Sequence, residues 1–500
     1  MPAAAAKPPK LILTVIDGMK PSMLERAVQT GRAPALQAIM ERGTYVDECC
    51  AAFPSVTPCC AATIATGRRQ DEHEIASMNY YRRRENRYVE YGSSFSAARR
   101  FGFAQQLTDT VYNMNMEHLP ADVPTVFESL DDAGVRTAGT TYLMYRGRHQ
   151  HEVSRETAIT RLASTLLRRP VMGPKELFYA DVFASQATGC RSQMGMPGMR
   201  DQHAGCVGTH MVEHDLFDFM LFSLPDNDTH SHKHGPHAQV TSIAEADRQI
   251  ERLMHAGGGP DAFLDEHAMI VVADHSHAPV EKVIAIFEAF SDYAVLPASG
   301  SRAADAEIAL CPSQRAAMVY GLVSAARDEL IPRIVRDALA LEGVDLVMHR
   351  SAPREAVIVR AGDDGEAMEL RFSSGGDVRD ERGERWYLDG DLAVLRATVR
   401  DGVLHAPDYP DGLARVWAAL TCETSGDVLL SAAPGYEFPD WGGQDHVGGG
   451  SHGSLHRCDS LGALVFCGVE PPPGRAGWLD DGAWSIADVA PMVRRHFRIP

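Results

Sequence analysis

The chain has 500 residues, of which 45% are hydrophobic, and its formal net charge is −19 at pH 7. This length and hydrophobic content suffice for a large core, or for one large domain with a sizeable insertion. The acidic excess argues against a nucleic-acid polymer as partner, because binding one usually needs a clustered basic surface. It does not argue against a small phosphorylated substrate that is held by metal ions.

The N-terminal segment MPAAAAKPPKLILTVIDG runs from its apolar stretch directly into Asp17-Gly18, which is typical of a first core strand and not of a signal peptide. No apolar run reaches the roughly 18 residues of a membrane span, so the sequence predicts none. The ten cysteines include no CxxC pair. We therefore expect a cytoplasmic protein with reduced, mostly buried thiols.

Several apolar runs of strand length end in polar residues that can bind metals. They are LILTVIDG (11–18), FDFMLFSLPDND (217–228), AMIVVADHSH (268–277) and, after SHGS (451–454), ALVFCG (463–468). Helical patterns such as PTVFESLDDAG (124–134) lie between them. Such alternation predicts an α/β fold whose mostly parallel sheet is covered on both faces. In such folds the ligand site lies at the carboxyl ends of the strands.

The pattern changes in the middle of the chain, where short alternating strands surround the helical segment ARDELIPRIVRDALALEG (326–343). This mixture predicts an inserted α+β cap subdomain over residues 285–425. The catalytic core is then predicted to comprise residues 8–284 and 426–500.

Thr57 in FPSVTPCCAATIATG (53–67) precedes Pro58 and a helical run. Threonine is favoured as N-cap and proline at the first helical position, so we expect Thr57 to cap a helix. The N-terminus of a helix favours anions, and a hydroxyl there could attack phosphorus if a metal ion lowered its pKa. Taken alone, the pattern is equally that of an ordinary helix cap.

Aspartate and histidine recur where the strands are predicted to end, in PDNDTHSHKHGP (225–236), ADHSHAP (273–279) and GGSHGSLH (449–456). Carboxylate oxygens and neutral imidazole suit Zn²⁺ or Mn²⁺. One such cluster could be a polar surface loop. Together with Asp17, however, the clusters indicate a metal centre.

As an ordered set, these motifs resemble the alkaline phosphatase superfamily, in its branch of type I phosphodiesterases, nucleotide pyrophosphatases and phosphonoacetate hydrolases. The matching residues are Asp17-Gly18, Thr57 with Thr66-Gly67, Asp228 to Pro236, Asp274-His275 and His452-Gly453. The resemblance implies an alkaline-phosphatase-like three-layer α/β/α core. It also implies two Zn²⁺ ions, with Mn²⁺ as the alternative.

By the resemblance, one metal ion is bound by Asp228, His232 and His452. The other ion is bound by Asp17, Asp274, His275 and Thr57, and Thr57 is the nucleophile that forms a phospho-threonine intermediate. Two metal ions about 3.5–4 Å apart can stabilise the attacking and leaving oxygens of an in-line displacement.

Some assignments remain open in the sequence. Asp226 and His230 have the same spacing as Asp228 and His232, although counting back from Gly235-Pro236 favours the later pair. The resemblance implies an asparagine that binds the phosphoryl group. The candidate in this sequence is Asn79, which stands one residue later than in the family's pattern. His277 is expected either to touch the substrate or a metal ligand or to make a plain polar contact, and the plain polar contact is favoured.

The expected activity is hydrolysis of phosphodiester or nucleotide pyrophosphate bonds in a small phosphorylated substrate. The alternatives are a phosphomonoester or a phosphonate C–P bond at the same site, or a silent metal- or nucleotide-binding protein. TPCCA lacks the arginine of a sulfatase motif, and no arginine adjacent to Thr57 is present for a monoester. The arginine-rich segment 80–105 is interpreted either as a solvated surface or as a lid that meets an anionic substrate.

Overall fold

The structure, a computed structural model, describes residues 8–153, 169–180, 182–192, 198–298, 306–323, 327–362, 366–472 and 483–499. Its strands, numbered in chain order, are β1 Lys10–Ile16, β2 Thr44–Cys50, β3 Asn79–Arg82, β4 Arg87–Glu90, β5 Thr137–Gly139, β6 His149–His151, β7 Val171–Gly173, β8 Glu176–Tyr179, β9 Phe183–Ala184, β10 Phe219–Leu224, β11 His267–Val272, β12 Ala278–Val283, β13 Ile308–Ser313, β14 Ala316–Gly321, β15 Val344–Ala352, β16 Glu355–Ala361, β17 Ala367–Arg379, β18 Arg385–Gly390, β19 Thr398–Arg400, β20 Val403–His405, β21 Val428–Ala432, β22 Gly435–Glu437, β23 Gly450–Ser451, β24 Leu461–Cys467 and β25 Trp484–Ser485.

The α-helices within the same residues are α1 Pro21–Gln29, α2 Pro34–Arg42, α3 Thr57–Thr66, α4 Gln70–His73, α5 Phe95–Phe101, α6 Phe103–Thr108, α7 Val126–Asp132, α8 Arg200–Glu213, α9 Asp226–His234, α10 Gln239–Ala256, α11 Pro260–Glu266, α12 Ile286–Ala289, α13 Arg327–Leu339, α14 Gly412–Thr421, α15 Arg457–Ser460 and α16 Val489–His496. A π-helix, Asp109–His118, continues α6. Short 3₁₀ turns lie at Pro236–Ala238, Leu392–Leu395 and Ile486–Asp488.

The central sheet has nine strands in the order β25-β2-β24-β11-β1-β10-β5-β8-β9. The inner strands β11, β1, β10, β5 and β8 are parallel to one another, whereas β24 and β9 join antiparallel to their neighbours. The predicted mostly parallel sheet is therefore confirmed. The inner strands β1, β10 and β11 also end at the same level, since Ile16 of β1 pairs with Leu224 of β10 and Val15 of β1 pairs with Val272 of β11.

Helices cover both faces of this sheet, because alternate side chains of each buried strand point to opposite sides. Leu11 and Leu13 of β1 pack in a cluster with residues of α3 and α16. Ile12 and Ile16 pack in another cluster with residues of α1, α2, α8 and α10. These layers confirm the predicted three-layer α/β/α architecture.

A second sheet has the order β13-β14-β21-β15-β16-β17-β20-β19, with β18 paired to β17. It is antiparallel apart from the β17–β20 pair, and α13 packs against it. Most of it falls within the segment 285–425, but β21 follows that segment. The cluster that contains Leu11 continues into this sheet through Cys311 and Met318, so the two sheets share buried apolar contacts.

The cysteines differ from expectation at one place. Cys190 and Cys206 form a disulfide with a Cα–Cα distance of 5.9 Å, which is ordinary for such a bond. The expectation that all cysteines are reduced is wrong for this pair. The reason is tertiary: α8 brings Cys206 beside the loop that carries Cys190, across a sequence separation of 16 residues. The other eight cysteines form no disulfide in the structure.

Among the helices described, none is long and apolar enough to cross a lipid bilayer.

Candidate active site

Thr57 begins helix α3, and Val56 occupies the N-cap position. The expectation that Thr57 itself is the N-cap is therefore wrong by one residue. Oγ1 of Thr57 lies 3.3 Å from Nε2 of His275. The N-terminus of α3 is thus directed at the carboxyl edge of the central sheet, with the Thr57 side chain only partly buried.

Three candidate ligands gather beside Thr57 and form what we call the Asp17 cluster: Asp17, Asp274 and His275. Asp17 directly follows β1, while Asp274 and His275 follow β11, so the neighbouring parallel strands deliver all three. Nε2 of His275 lies 3.5 Å from Oδ1 of Asp17 and 3.5 Å from Oδ2 of Asp274.

Four further residues form what we call the Asp228 cluster: Asp228, His232, His277 and His452. Asp228 and His232 lie one turn apart on α9, which follows β10, and His452 follows β23. Their ligand atoms lie within 4.8 Å of one another. The rings of His275 and His452 stack at a centroid distance of 3.6 Å, so the two clusters are adjacent.

Hydrogen bonds to backbone carbonyls orient the imidazoles. Nδ1 of His232 donates to the carbonyl of Gly450 at 2.8 Å, and Nδ1 of His452 donates to that of Ser55 at 2.8 Å. Nδ1 of His275 donates to the carbonyl of Ser276 at 3.1 Å. Because a carbonyl oxygen only accepts, Nδ1 carries the proton in each ring, and Nε2 keeps a lone pair that faces the clusters.

The pKa values of the three carboxylates at the site shift in different directions. Burial, reinforced by the charges of Asp274 and Asp228, raises the pKa of Asp17 well above its usual range. Burial also raises the pKa of Asp274 to about 6. Burial would raise the pKa of Asp228 too, but the imidazoles of His232, His277 and His452 hold it well below its usual range. Because these neighbouring carboxylates repel one another, a cation bound between them would stabilise their charged forms.

The donor set fits two divalent cations. Oδ1 of Asp17 and Nε2 of His452 are buried and have no hydrogen-bond partner among the described residues. Burial lowers the pKa of His275 and of His277, which keeps their rings neutral and able to bind a metal. Carboxylate oxygen together with imidazole nitrogen is a zinc-type donor set.

The alternative register pair lies outside both clusters. Oδ1 of Asp226 accepts from Nε of Arg200 at 2.8 Å, and Oδ2 accepts from the backbone N–H of Asp201 at 3.0 Å. The ring of His230 instead packs near His234, with centroids 4.6 Å apart. The structure therefore brings Asp228 and His232 together with the other candidate ligands, and it directs Asp226 towards α8.

Asn79 is buried at the start of β3. Its Nδ2 donates to the carbonyl of Val89 at 3.0 Å, and its backbone N–H donates to Oγ of Ser313 at 3.2 Å. The hydrogen bonds described for Asn79 thus join the β3–β4 hairpin to the second sheet. The role of Asn79 in phosphoryl binding stays a prediction.

Two side chains at the site escaped the sequence reasoning, and a third, His277, was named there only with a plain polar contact as the favoured role. The ring of His277 lies within the Asp228 cluster. The ring of His446 stacks on His232 with centroids 4.1 Å apart, and its Nδ1 lies 3.0 Å from Oε2 of Glu437. Nε2 of Gln314, in the β13–β14 turn, lies 3.4 Å from Nε2 of His232. Only His277 had a local signal, since it stands two residues after His275.

The arginines of the β3–β4 hairpin pair with carboxylates of this chain. Arg83 contacts Asp427 at 2.8 Å, and Arg87 contacts Asp109 at 2.8 Å. Arg84 contacts Glu423 at 2.5 Å. Their charge is therefore largely matched within the protein. This pairing argues against these three arginines as the anion-binding groups of a lid, and the tyrosines beside them, Tyr80, Tyr81 and Tyr88, are buried.

A family model described as type I phosphodiesterase / nucleotide pyrophosphatase matches residues 11–455. Phosphonoacetate hydrolase from Sinorhizobium meliloti, solved with phosphonoformate, is similar to this chain at 17% identity and a TM-score of 0.53, with 98% of this chain and 96% of that chain covered. Murine ectonucleotide pyrophosphatase / phosphodiesterase 5, solved as an inactive variant with AMP, is similar at 11% identity and a TM-score of 0.57, with 98% and 96% covered. The comparison with curated protein sequences finds no match. At these identities the structural likeness establishes the alkaline-phosphatase-like fold.

Proposed function

Because the chain belongs to the type I phosphodiesterase / nucleotide pyrophosphatase family, we propose that it cleaves phosphodiester or nucleotide pyrophosphate bonds through a covalent intermediate on Thr57. The chain is a hydrolase of this family's type; the threonine intermediate and the two-zinc centre are the proposal. The observation that carries it is the position of Thr57 Oγ1, which lies 3.3 Å from Nε2 of His275 at the start of α3.

The ligand assignment in the proposal follows the two clusters. The Asp17 cluster together with Thr57 would bind one divalent cation, and Asp228, His232 and His452 would bind the other. Zinc suits this set, with manganese as the alternative. When bound, the two cations supply Lewis acidity and stabilise the charge that develops on the attacking and leaving oxygens.

In the first step, Thr57 Oγ1 forms a bond to phosphorus while the bond from phosphorus to the leaving oxygen breaks, and the proton of the hydroxyl passes through solvent to the leaving oxygen. The helix position favours the substrate anion, since the backbone dipoles of α3 present positive charge at Thr57. In the second step, water attacks the same phosphorus, the bond to Thr57 Oγ1 breaks, and the hydroxyl regains its proton. A diester substrate retains one ester group on the intermediate.

A diester is preferred to a monoester because the arginines of the β3–β4 hairpin are already paired. A monoester brings one more negative charge, and the hairpin arginines Arg83, Arg84 and Arg87 are matched by carboxylates of this chain. The direct test compares kcat/KM on a nitrophenyl phosphodiester and on the matching monoester, with and without a chelator. A chelator-sensitive preference for the diester supports the proposal. A monoester preference, or turnover of phosphonoacetate alone, overturns the substrate class.

Thr57→Ala tests the nucleophile. We expect kcat on the diester to fall by at least about 1000-fold, because loss of a covalent nucleophile removes the whole two-step route. Bound zinc should remain, since the other ligands stay in place. Acid-quenched wild-type protein should carry the substrate's phosphoryl group on Thr57, detected by peptide mass spectrometry.

The matched control is Thr66→Ala, at the opposite end of the same helix. The Thr66 hydroxyl donates to the carbonyl of Ala62 at 2.7 Å and lies outside both clusters. This variant should keep near wild-type turnover. Wild-type turnover in Thr57→Ala would reject the assignment of the nucleophile.

A further inference from the structure

His277 is buried among the candidate ligands, beyond the three residues that the ordered motifs assign to the Asp228 cluster. Its side chain is 0% exposed. Its Nε2 lies 3.0 Å from Oδ1 of Asp228, closer than Nε2 of His232 at 3.3 Å or Nε2 of His452 at 3.4 Å. Three imidazoles therefore approach one carboxylate oxygen through the same type of nitrogen.

These distances match donor atoms around a zinc ion. In a tetrahedral site with ligands at about 2.0–2.1 Å, neighbouring donor atoms lie roughly 3.3 Å apart. The contacts of 3.0, 3.3 and 3.4 Å scatter about this value. Neutral rings in a hydrogen-bonded network would not produce the same arrangement, because neutral His232 and His452 carry their proton on Nδ1 and then present a lone pair, not a donor, from Nε2 to Asp228.

The surrounding chain holds the His277 ring in this place. Nζ of Lys20 donates to the backbone carbonyl of His277 at 3.2 Å. Gly18, at φ 65°, leaves the space that the ring fills, because a Cβ there would stand 2.6 Å from Nε2 of His277. The ring centroids of His232 and His452 lie 4.8 and 4.9 Å away.

The two possible roles of His277 differ at Nε2 alone. Nδ1 is buried without a hydrogen-bond partner among the described residues. It would be unpaired whether it carried the proton or not, so it does not select a tautomer. Nε2 either donates a proton to Asp228 or presents a lone pair to a cation, and the spacing of the four donors favours the lone pair.

Building on the proposed metal centre, we propose that His277 is a fourth protein ligand of the cation at the Asp228 cluster. The complete set is one carboxylate and three imidazoles, which fills a tetrahedral zinc site with side chains. The Asp17 cluster has three such residues besides Thr57, and Thr57 is taken up by the reaction as its nucleophile. We therefore expect the cation at the Asp228 cluster, whose four ligands all stay in place, to be retained more tightly than the cation beside Thr57.

The test compares zinc binding by the wild-type chain with that of His277→Gln and His277→Leu. Glutamine matches the reach of Nε2 and can still donate to Asp228, but it does not replace imidazole as a ligand; leucine removes both functions. The control is His446→Gln, which changes another ring that packs against His232 at 4.1 Å but lies outside the Asp228 cluster. Affinities for each zinc equivalent come from competition with a chromophoric chelator.

We expect both His277 variants to weaken the tighter zinc equivalent by well over 100-fold, with His446→Gln within about tenfold of wild type. Loss of an outer hydrogen-bond partner of a ligand costs about 10–100-fold. A loss of 100-fold or less in His277→Gln would therefore overturn the proposal and make His277 a hydrogen-bond donor to Asp228. Urea unfolding in chelator checks that the variants fold without metal.

A second readout is the visible spectrum of the cobalt-substituted protein. With one equivalent of Co²⁺, wild-type protein should show the intense visible absorption of a four-coordinate site, because coordination geometry governs the spectrum. His277→Gln should lose it, and a weak spectrum in the wild type would also overturn the proposal. Neither readout uses turnover. If the zinc and cobalt measurements contradict the role of His277 while the enzyme is active and depends on Thr57, only the role of His277 is rejected. If these measurements support His277 as a ligand but the protein shows no turnover, only the proposed function is rejected.

Discussion

At the scale of single residues, the orientation of each candidate ligand depends on what its second polar atom contacts. Oδ1 of Asp274 accepts from the backbone N–H of Gly18 at 3.1 Å, and Nδ2 of Asn227 donates to the carbonyl of Asp17 at 2.7 Å. Such outer contacts hold side chains in a binding geometry before a cation arrives. They also separate residues that look alike in sequence, such as Asp226 and Asp228.

Asp228→Asn and Asp226→Asn should therefore have different effects. The Asp228 substitution removes the only carboxylate of its cluster, so we expect zinc affinity and diester kcat/KM each to fall by more than about 100-fold. The Asp226 substitution breaks the 2.8 Å ion pair with Arg200, and zinc affinity should stay within about tenfold. Equal effects of the two substitutions on zinc affinity, measured by chelator competition, would contradict this assignment.

At the scale of elements, the site is assembled from strand ends and helix starts. The parallel strands β1, β10 and β11 end in register, and the residues that follow them are brought together by the sheet itself. Helix α3 adds Thr57 from the face opposite to α10. On the α10 side, the Asp247 carboxylate accepts the backbone N–H groups of Ala35 and Leu36 at 3.3 and 2.7 Å, and so stabilises the start of α2.

Asp247 should make stability depend on pH. Burial raises its pKa to about 7 in the folded protein, above the value of about 3.9 expected in the unfolded chain. The unfolded chain thus ionises this group more readily, and the folded state loses stability as the pH rises from about 4 to 7. Between pH 5 and 8, wild type should lose about 2–3 kcal/mol relative to Asp247→Asn.

This difference is measured by urea unfolding of both proteins at the two pH values, since other titrating groups cancel in the comparison. A difference between the proteins that does not change with pH would contradict the raised pKa. Asp265→Asn is a suitable control, because that carboxylate is exposed on the surface beside Arg42.

Other elements show which structural features can be predicted from neighbouring residues in the sequence. The closing segment SIADVAPMVRRHF (485–497) begins with serine, a residue favoured as helix N-cap, and Ser485 caps the 3₁₀ turn that leads into α16. Such signals are predictable because the contacts lie within a few residues. By contrast, Thr57 is one position past the N-cap, and β21 joins a sheet whose other strands precede residue 406.

At the scale of the whole molecule, the two sheets meet at the candidate site. The β13–β14 turn presents Gln314 to His232, and the backbone N–H of Arg315 donates to the carbonyl of His452 at 2.9 Å. The Arg315 guanidinium pairs with Asp459 at 2.9 Å, and both side chains are fully buried. Because a ligand loop is attached to both sheets, binding of a cation there should stabilise the molecule as a whole.

Chelation should accordingly lower the melting temperature, and added zinc should restore it. A cation at 1000 times its Kd contributes about 4 kcal/mol to the folded state, because it binds the folded chain in preference to the unfolded one. Differential scanning calorimetry measures the shift. Asp228→Asn should show a smaller shift than wild type. A melting temperature that does not respond to chelator or zinc in wild-type protein would argue against resident metal ions.

The sequence by itself determined the α/β core, the strand ends that carry Asp17, Asp228 and Asp274, and the family resemblance. These features depend on local hydrophobic pattern and on ordered motifs, which a linear chain displays directly. The sequence also favoured Asp228 over Asp226, through its distance from Gly235-Pro236. The tertiary structure alone decided that Asp226 pairs with Arg200 and that His277 lies within the Asp228 cluster. It also decided the pairing of Cys190 with Cys206. Those outcomes depend on which distant segments pack together, as when Gly18 leaves room for His277, and no local pattern encodes such contacts.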